Sequence, residues 1–133
     1  MNQLNTPFEQ SATLLITGLK QPIKIRTELA VSDIEIFQAL NYRTKKQFKQ
    51  PLTLKFSNPL VQSFVKLNFL FTTELIAIDY KTNKVKKIQL LQLKKDNGHF
   101  IQGFSEYSIV VIAPKGFCKS NKIEEGKTVI KLK

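Results

Sequence analysis

The pattern of apolar and polar positions centres on residues 64–93, FVKLNFLFTTELIAIDYKTNKVKKIQLLQL. One apolar run closes at Asp79, Tyr80-Lys81-Thr82-Asn83 makes a polar break, and a second run opens at Val85. Two β-rich runs around a short polar break predict a hairpin. Leu75-Ile76-Ala77-Ile78 contains no polar position. A strand of that kind is expected to be covered on both faces and to lie centrally in its sheet.

Elsewhere the period is also mostly two. Residues 12–19 read as a first strand, stopped by Gly18 and Pro22. Ile23, Ile25, Thr27, Leu29 and Val31 then alternate with Lys24, Arg26, Glu28 and Ala30. This is a half-buried strand with a charged outer face. Ser32 with Glu35 forms a capping box, and Ile36, Phe37 and Leu40 follow at helical spacing, so a short helix is expected to about Arg43.

Leu52, Leu54 and Phe56 alternate with Thr53 and Lys55, a strand ended by Ser57-Asn58-Pro59. Lys94–Gly98 reads as a turn, and residues 99–105 as loop or weak strand. Residues 107–113, YSIVVIA, predict a second buried strand. Pro114 can open a brief helix over 115–121. After a turn at 122–127, Val129 to Leu132 closes as an edge strand, with Ile130 and Leu132 inward and Lys131 and Lys133 outward. The sum is a β-dominated α+β domain: a partly closed barrel or curled mixed sheet of about seven strands with two short helices.

Size fits one domain over 1–133, with residues 1–11 a loose lead-in. The hydrophobic share of 42% and ten phenylalanines supply a core. No apolar run reaches the roughly 20 residues of a membrane span. The N-terminus lacks a basic start and carries Glu9 before a short apolar patch, unlike a secretory signal. With one cysteine there is no internal disulfide framework. These features together lead us to expect a cytoplasmic protein.

Three blocks resemble the Domain of Unknown Function 192 family of small prokaryotic proteins. Gln38-Ala39-Leu40-Asn41-Tyr42-Arg43 and Leu52-Thr53-Leu54-Lys55-Phe56 stand where that family has Arg-Gly-Leu-Met-x-Arg and Met-Leu-Phe-x-Phe. Ser63 to Glu74, followed by Ile78-Asp79, matches the length of its central run, with Ser63, Phe64, Asn68 and Leu70 identical. Pro114, Gly116, Cys118, Ile123, Gly126, Lys127 and Val129 follow its terminal Pro-x-Gly-x-Ala and Ile-x-x-Gly-Asp-x-Val. In the central block Val65-Lys66-Leu67 replaces Trp-Met-Lys, and Thr72-Thr73-Glu74 replaces Pro-Leu-Asp. The resemblance spans about residues 23–133 and implies an architecture, with no activity attached.

Charge changes the picture. Formal net charge is +11, and the 21 cationic side chains include only two arginines, Arg26 and Arg43. Such a field attracts nucleic acid, an acidic protein or an anionic surface, although a lysine-rich composition alone would give the same total. Two basic stretches lack acids: one with Arg43, Lys45, Lys46 and Lys49, the other with Lys81, Lys84, Lys86 and Lys87. Tyr42, Phe48 and Tyr80 lie beside them and could stack on bases. With so little arginine, such contact would be to phosphate, salt-sensitive and poor at reading sequence.

Most chemistry has no residues to carry it. One His and one Cys cannot build a typical zinc site, and no metal is expected. His99 beside Asn97-Gly98 reads as a loop residue rather than a base. The five glycines form no phosphate-cradling loop and no nucleophile elbow, so no cofactor is expected either. Cys118 reads first as a packed side chain; its place at a helix start beside Lys115 and Lys119 also allows a reactive thiolate.

Glu74 is the acid of interest, because a carboxylate within an apolar strand needs a partner or a raised pKa. If the strand runs unbroken, Lys66, Asn68 and Glu74 share a face and could line a ligand pocket. The leading expectation is a non-catalytic module binding a ligand or protein through the face around the hairpin. Polyanion binding comes second. An enzyme comes third, for want of a nucleophile–base pair.

Overall fold

The computed structural model describes residues 11–18, 20–31, 50–55, 64–67, 72–79, 81–91, 99–102 and 107–133. These form nine strands: β1 Ser11–Thr17, β2 Ile23–Ala30, β3 Leu52–Lys55, β4 Phe64–Leu67, β5 Thr73–Asp79, β6 Val85–Leu91, β7 His99–Gln102, β8 Tyr107–Pro114 and β9 Val129–Leu132. A four-residue helix, α1 (Phe117–Ser120), follows β8 inside the predicted 115–121 segment. The other expected helix, from Ser32 to Arg43, lies outside the described residues. Seven strands make one mixed sheet in the order β6-β5-β8-β3-β2-β1-β9, and β4 pairs with β7 in a separate two-stranded sheet.

All pairings in the large sheet are antiparallel except β2 with β3, whose crossover is residues 31–51. That length exceeds the dozen or so residues a parallel connection requires. A buried hydroxyl pair fastens this junction: Thr27 Oγ1 lies 2.8 Å from Thr53 Oγ1 and donates to the Pro51 carbonyl at 2.8 Å. With Thr53 donating in turn to Thr27, neither hydroxyl is left unsatisfied in the core.

The sheet curls into a half-barrel. Leu14 and Ile16 of β1, Ile76 and Ile78 of β5, Val111 of β8 and Ile130 of β9 form one cluster, although β1 and β5 are far apart in the sheet order. Only a concave face brings such strands together. Cys118 and Ile123 join this cluster from the segment after β8. On the opposite face Leu52, Leu54, Leu75, Ala77, Val110 and Ile112 are buried too. The expectation for Leu75–Ile78 therefore holds: all four side chains are at most 1% exposed.

At one end the two edge strands meet. Lys84, just before β6, bridges Val129 of β9. The Val85 N–H donates to Thr128 O at 2.8 Å, Gly126 N–H to Val85 O at 2.7 Å, and Ile130 N–H to Asn83 O at 2.9 Å. Next along β6, the Ile88 N–H donates to Glu125 Oε2 at 2.6 Å. Backbone groups that would otherwise template another strand are thereby occupied. Gly18, where β1 ends beside Lys127 of the seam, takes φ 93°, a left-handed backbone that favours glycine.

Candidate functional site

Glu74 is half-buried on the concave face of β5, cross-strand from Ala113 of β8. The chain leaves β8 through Pro114-Lys115-Gly116 and starts α1. Gly116 holds the N-cap at φ 94° and has no side chain with which to cap. Glu74 supplies what is missing. Its Oε2 accepts the Gly116 N–H at 2.8 Å and its Oε1 accepts the Cys118 N–H at 2.9 Å. A carboxylate at the start of a helical turn satisfies donors that have no partner inside the turn.

This arrangement decides the state of Cys118. The side chain is 7% exposed, and burial, followed by the hydrogen bond and the negative charge of Glu74, pushes its thiol up to about 12. The helix start that could have favoured a thiolate already faces an anion. Cys118 is a packing residue held as a neutral thiol.

The sequence placed Lys66, Asn68 and Glu74 on one strand, and the structure corrects that premise. Lys66 belongs to β4, paired with Phe100 of β7 in the small sheet, whereas Glu74 belongs to β5 in the large one. The alternation rule lapses once the strand breaks. Asn68 lies outside the described residues. The partner that Glu74 required is a pair of backbone N–H groups, a role that becomes visible only with the β5–β8 register in hand.

The hairpin lysines surround a turn closed by its own hydrogen bonds. Asp79 Oδ2 accepts the Thr82 hydroxyl at 2.8 Å, which, with backbone N–H groups nearby, holds the Asp79 carboxyl below its ordinary pKa. Asp79 N–H donates to Lys84 O at 3.0 Å, and Asn83 takes the left-handed φ of 61° that closes the turn. Lys81 and Lys84 are exposed around this turn. In β6 the register moves from Ala77↔Lys87 to Ile78↔Val85, leaving Lys86 as the extra residue of a bulge. Lys86 and Lys87 are exposed there. The other basic stretch, with Arg43, Lys45, Lys46 and Lys49, lies outside the described residues. Among the described residues no group of three His, Cys, Asp or Glu side chains could hold a metal ion. Nor is any described helix long and apolar enough to cross a membrane.

A scan against protein families finds no match, and neither does a search of curated proteins. Solved structures do share the fold. One, described as a candidate transcription regulator from Sinorhizobium meliloti 1021, aligns with a TM-score of 0.69 at 13% identity, covering 94% of this chain and 95% of its own. A second, a protein of unknown function from Novosphingobium aromaticivorans, gives a TM-score of 0.65 at 14% identity, covering 91% and 83%. Both likenesses are likenesses of architecture.

Proposed function

We propose that this chain is a non-catalytic domain that binds a polyanion, single-stranded nucleic acid being the natural probe, through Lys81, Lys84, Lys86 and Lys87. The observation that carries this reading is the setting of those lysines. Four exposed cations sit on one hairpin anchored by backbone hydrogen bonds to the last strand. Asp79 accepts the Thr82 hydroxyl and also lies in the field of Lys86, while Glu125 accepts the Ile88 N–H, so the turn that carries these lysines is tied down by the acids that flank it. A fixed array of lysines suits phosphate, which needs charge rather than a planar fork. The description of the Sinorhizobium neighbour fits a role of this kind, but at its identity it lends only the fold.

The pocket reading built on Lys66, Asn68 and Glu74 is weaker, since both Glu74 oxygens already hold backbone N–H groups. An enzyme is weaker still, with the Cys118 thiol neutral and packed in the core.

The test is fluorescence anisotropy with a labelled oligothymidine across a salt series. Each phosphate contact on a single strand contributes a slope of about −0.7 in log K against log salt. The wild type is expected to bind with a slope approaching about −3 if all four lysines engage. The variant K81Q/K84Q/K86Q/K87Q should lose most of both affinity and slope. Salt-independent binding, or a variant that binds like the wild type, would remove the proposal.

A further inference from the structure

The opposite half of the sheet carries a different surface. On the outer, convex face of β2–β1–β9, register places Leu15 between Lys24 of β2 and Lys131 of β9. One rank along, Thr13 stands between Arg26 and Lys133, and the Thr13 and Lys133 backbones exchange hydrogen bonds. Cross-strand neighbours share a face, with Cβ atoms about 4.5–5.5 Å apart. The cations of each rank therefore flank a half-buried central residue and stand roughly 10 Å from one another, two strand spacings. Thr13, Leu15, Lys24 and Lys133 line a groove of about 450 Å³ here. That volume is of ligand-binding size. The positive field is limited to these two ranks, because Glu28 opposes Ser11 in the next.

We propose that this groove binds an acidic peptide segment of a partner protein, with an apolar side chain resting on Leu15 and carboxylates on either side reaching the flanking lysines. The shape of the charge selects this occupant. A lone carboxylate or phosphate could not span cations that far apart. A nucleic-acid backbone would meet the cations but leave the apolar Leu15 floor without a partner. A chain alternating acidic and apolar residues satisfies both the floor and the rims. This inference is independent of the hairpin reading, which uses other residues at another place in the sheet.

Two labelled peptides of equal charge separate the possibilities, one alternating Asp and Leu and the other Asp and Ser, each titrated with the full chain. The Asp–Leu peptide should bind, and the Asp–Ser peptide about tenfold more weakly or worse, because it has no group for the floor. The variant K24E/K133E, which alters exposed positions only, should lose at least about tenfold in affinity for the Asp–Leu peptide. K81Q/K84Q/K86Q/K87Q should bind that peptide normally. Equal binding of the two peptides, or wild-type binding by K24E/K133E, overturns the proposal. So does loss of oligothymidine binding in K24E/K133E with peptide binding intact, which would make nucleic acid the occupant.

Discussion

The two strands of one hairpin, β5 and β6, make the most instructive contrast in this molecule. They are of equal length and antiparallel, and share a ladder. β5 lies between β6 and β8 and is buried on both faces over Leu75–Ile78; β6 lies at the sheet edge with Lys86, Lys87, Gln89 and Leu90 exposed. Leu90, at 45% exposure, is a large apolar side chain on that open strand. Position in the sheet, more than apolar content, sets what each residue is worth. In β5 a side chain is core. In β6 backbone satisfaction and charge dominate.

That contrast can be broken by four substitutions in decreasing order of effect, the first of them measured against Leu90→Ala as its control. Ile76→Ala should cost about 2–5 kcal/mol by urea denaturation, since it removes buried methyl groups and leaves a cavity. Leu90→Ala, on the exposed partner strand opposite Glu74, should stay within about 0.5 kcal/mol. Equal costs would mean that the two strands are not energetically distinct. Glu74→Gln should cost roughly 1–3 kcal/mol, because a charged acceptor for two backbone donors is weakened. It should also lower the Cys118 pKa without returning it to the ordinary thiol value, since burial is the larger cause. Thiol reactivity against pH in the folded protein checks this; an unmoved profile would show that Glu74 does not act on the thiol.

Glu125→Ala should change stability less than Glu74→Gln, yet leave the Ile88 N–H open on the edge of β6. Sedimentation should then show concentration-dependent association that the wild type lacks. The smallest effect belongs to Asp79. Its folded pKa is lowered, so its contribution is present above the unfolded value of about 3.9 and is lost as pH falls through the folded value. Asp79→Asn should lower stability slightly at neutral pH and flatten the acid limb, so that variant and wild type converge as pH falls through that window.

Much of this organisation was legible in the residues. The unbroken apolar quartet at Leu75–Ile78 announced a strand covered on both sides, and Lys81-Thr82-Asn83 announced the turn. The alternation of Ile23, Ile25 and Thr27 with Lys24 and Arg26 identified an outer charged face. Hidden were features that depend on which strands become neighbours. Leu67 through Phe71 shows no polar interruption except Asn68, so nothing local marked the change from β4 to β5 and the separation of Lys66 from Glu74. Lys24 and Lys131 are far apart in sequence, and only the insertion of β1 between β2 and β9 sets them on either side of Leu15. Likewise, a carboxylate in β5 can serve Gly116 only because β8 delivers that turn beside it.

The seam at residues 124–130 has a mechanical consequence. One short peptide segment covers both flanks of the curled sheet, gripping β6 through Val85 and Ile88 while its own continuation lies against β1. It works as a single latch on two doors. Peeling it away would uncover both borders in the same event, so exchange of the Val85, Ile88 and Ile130 amides with solvent deuterium should proceed as one cooperative unit.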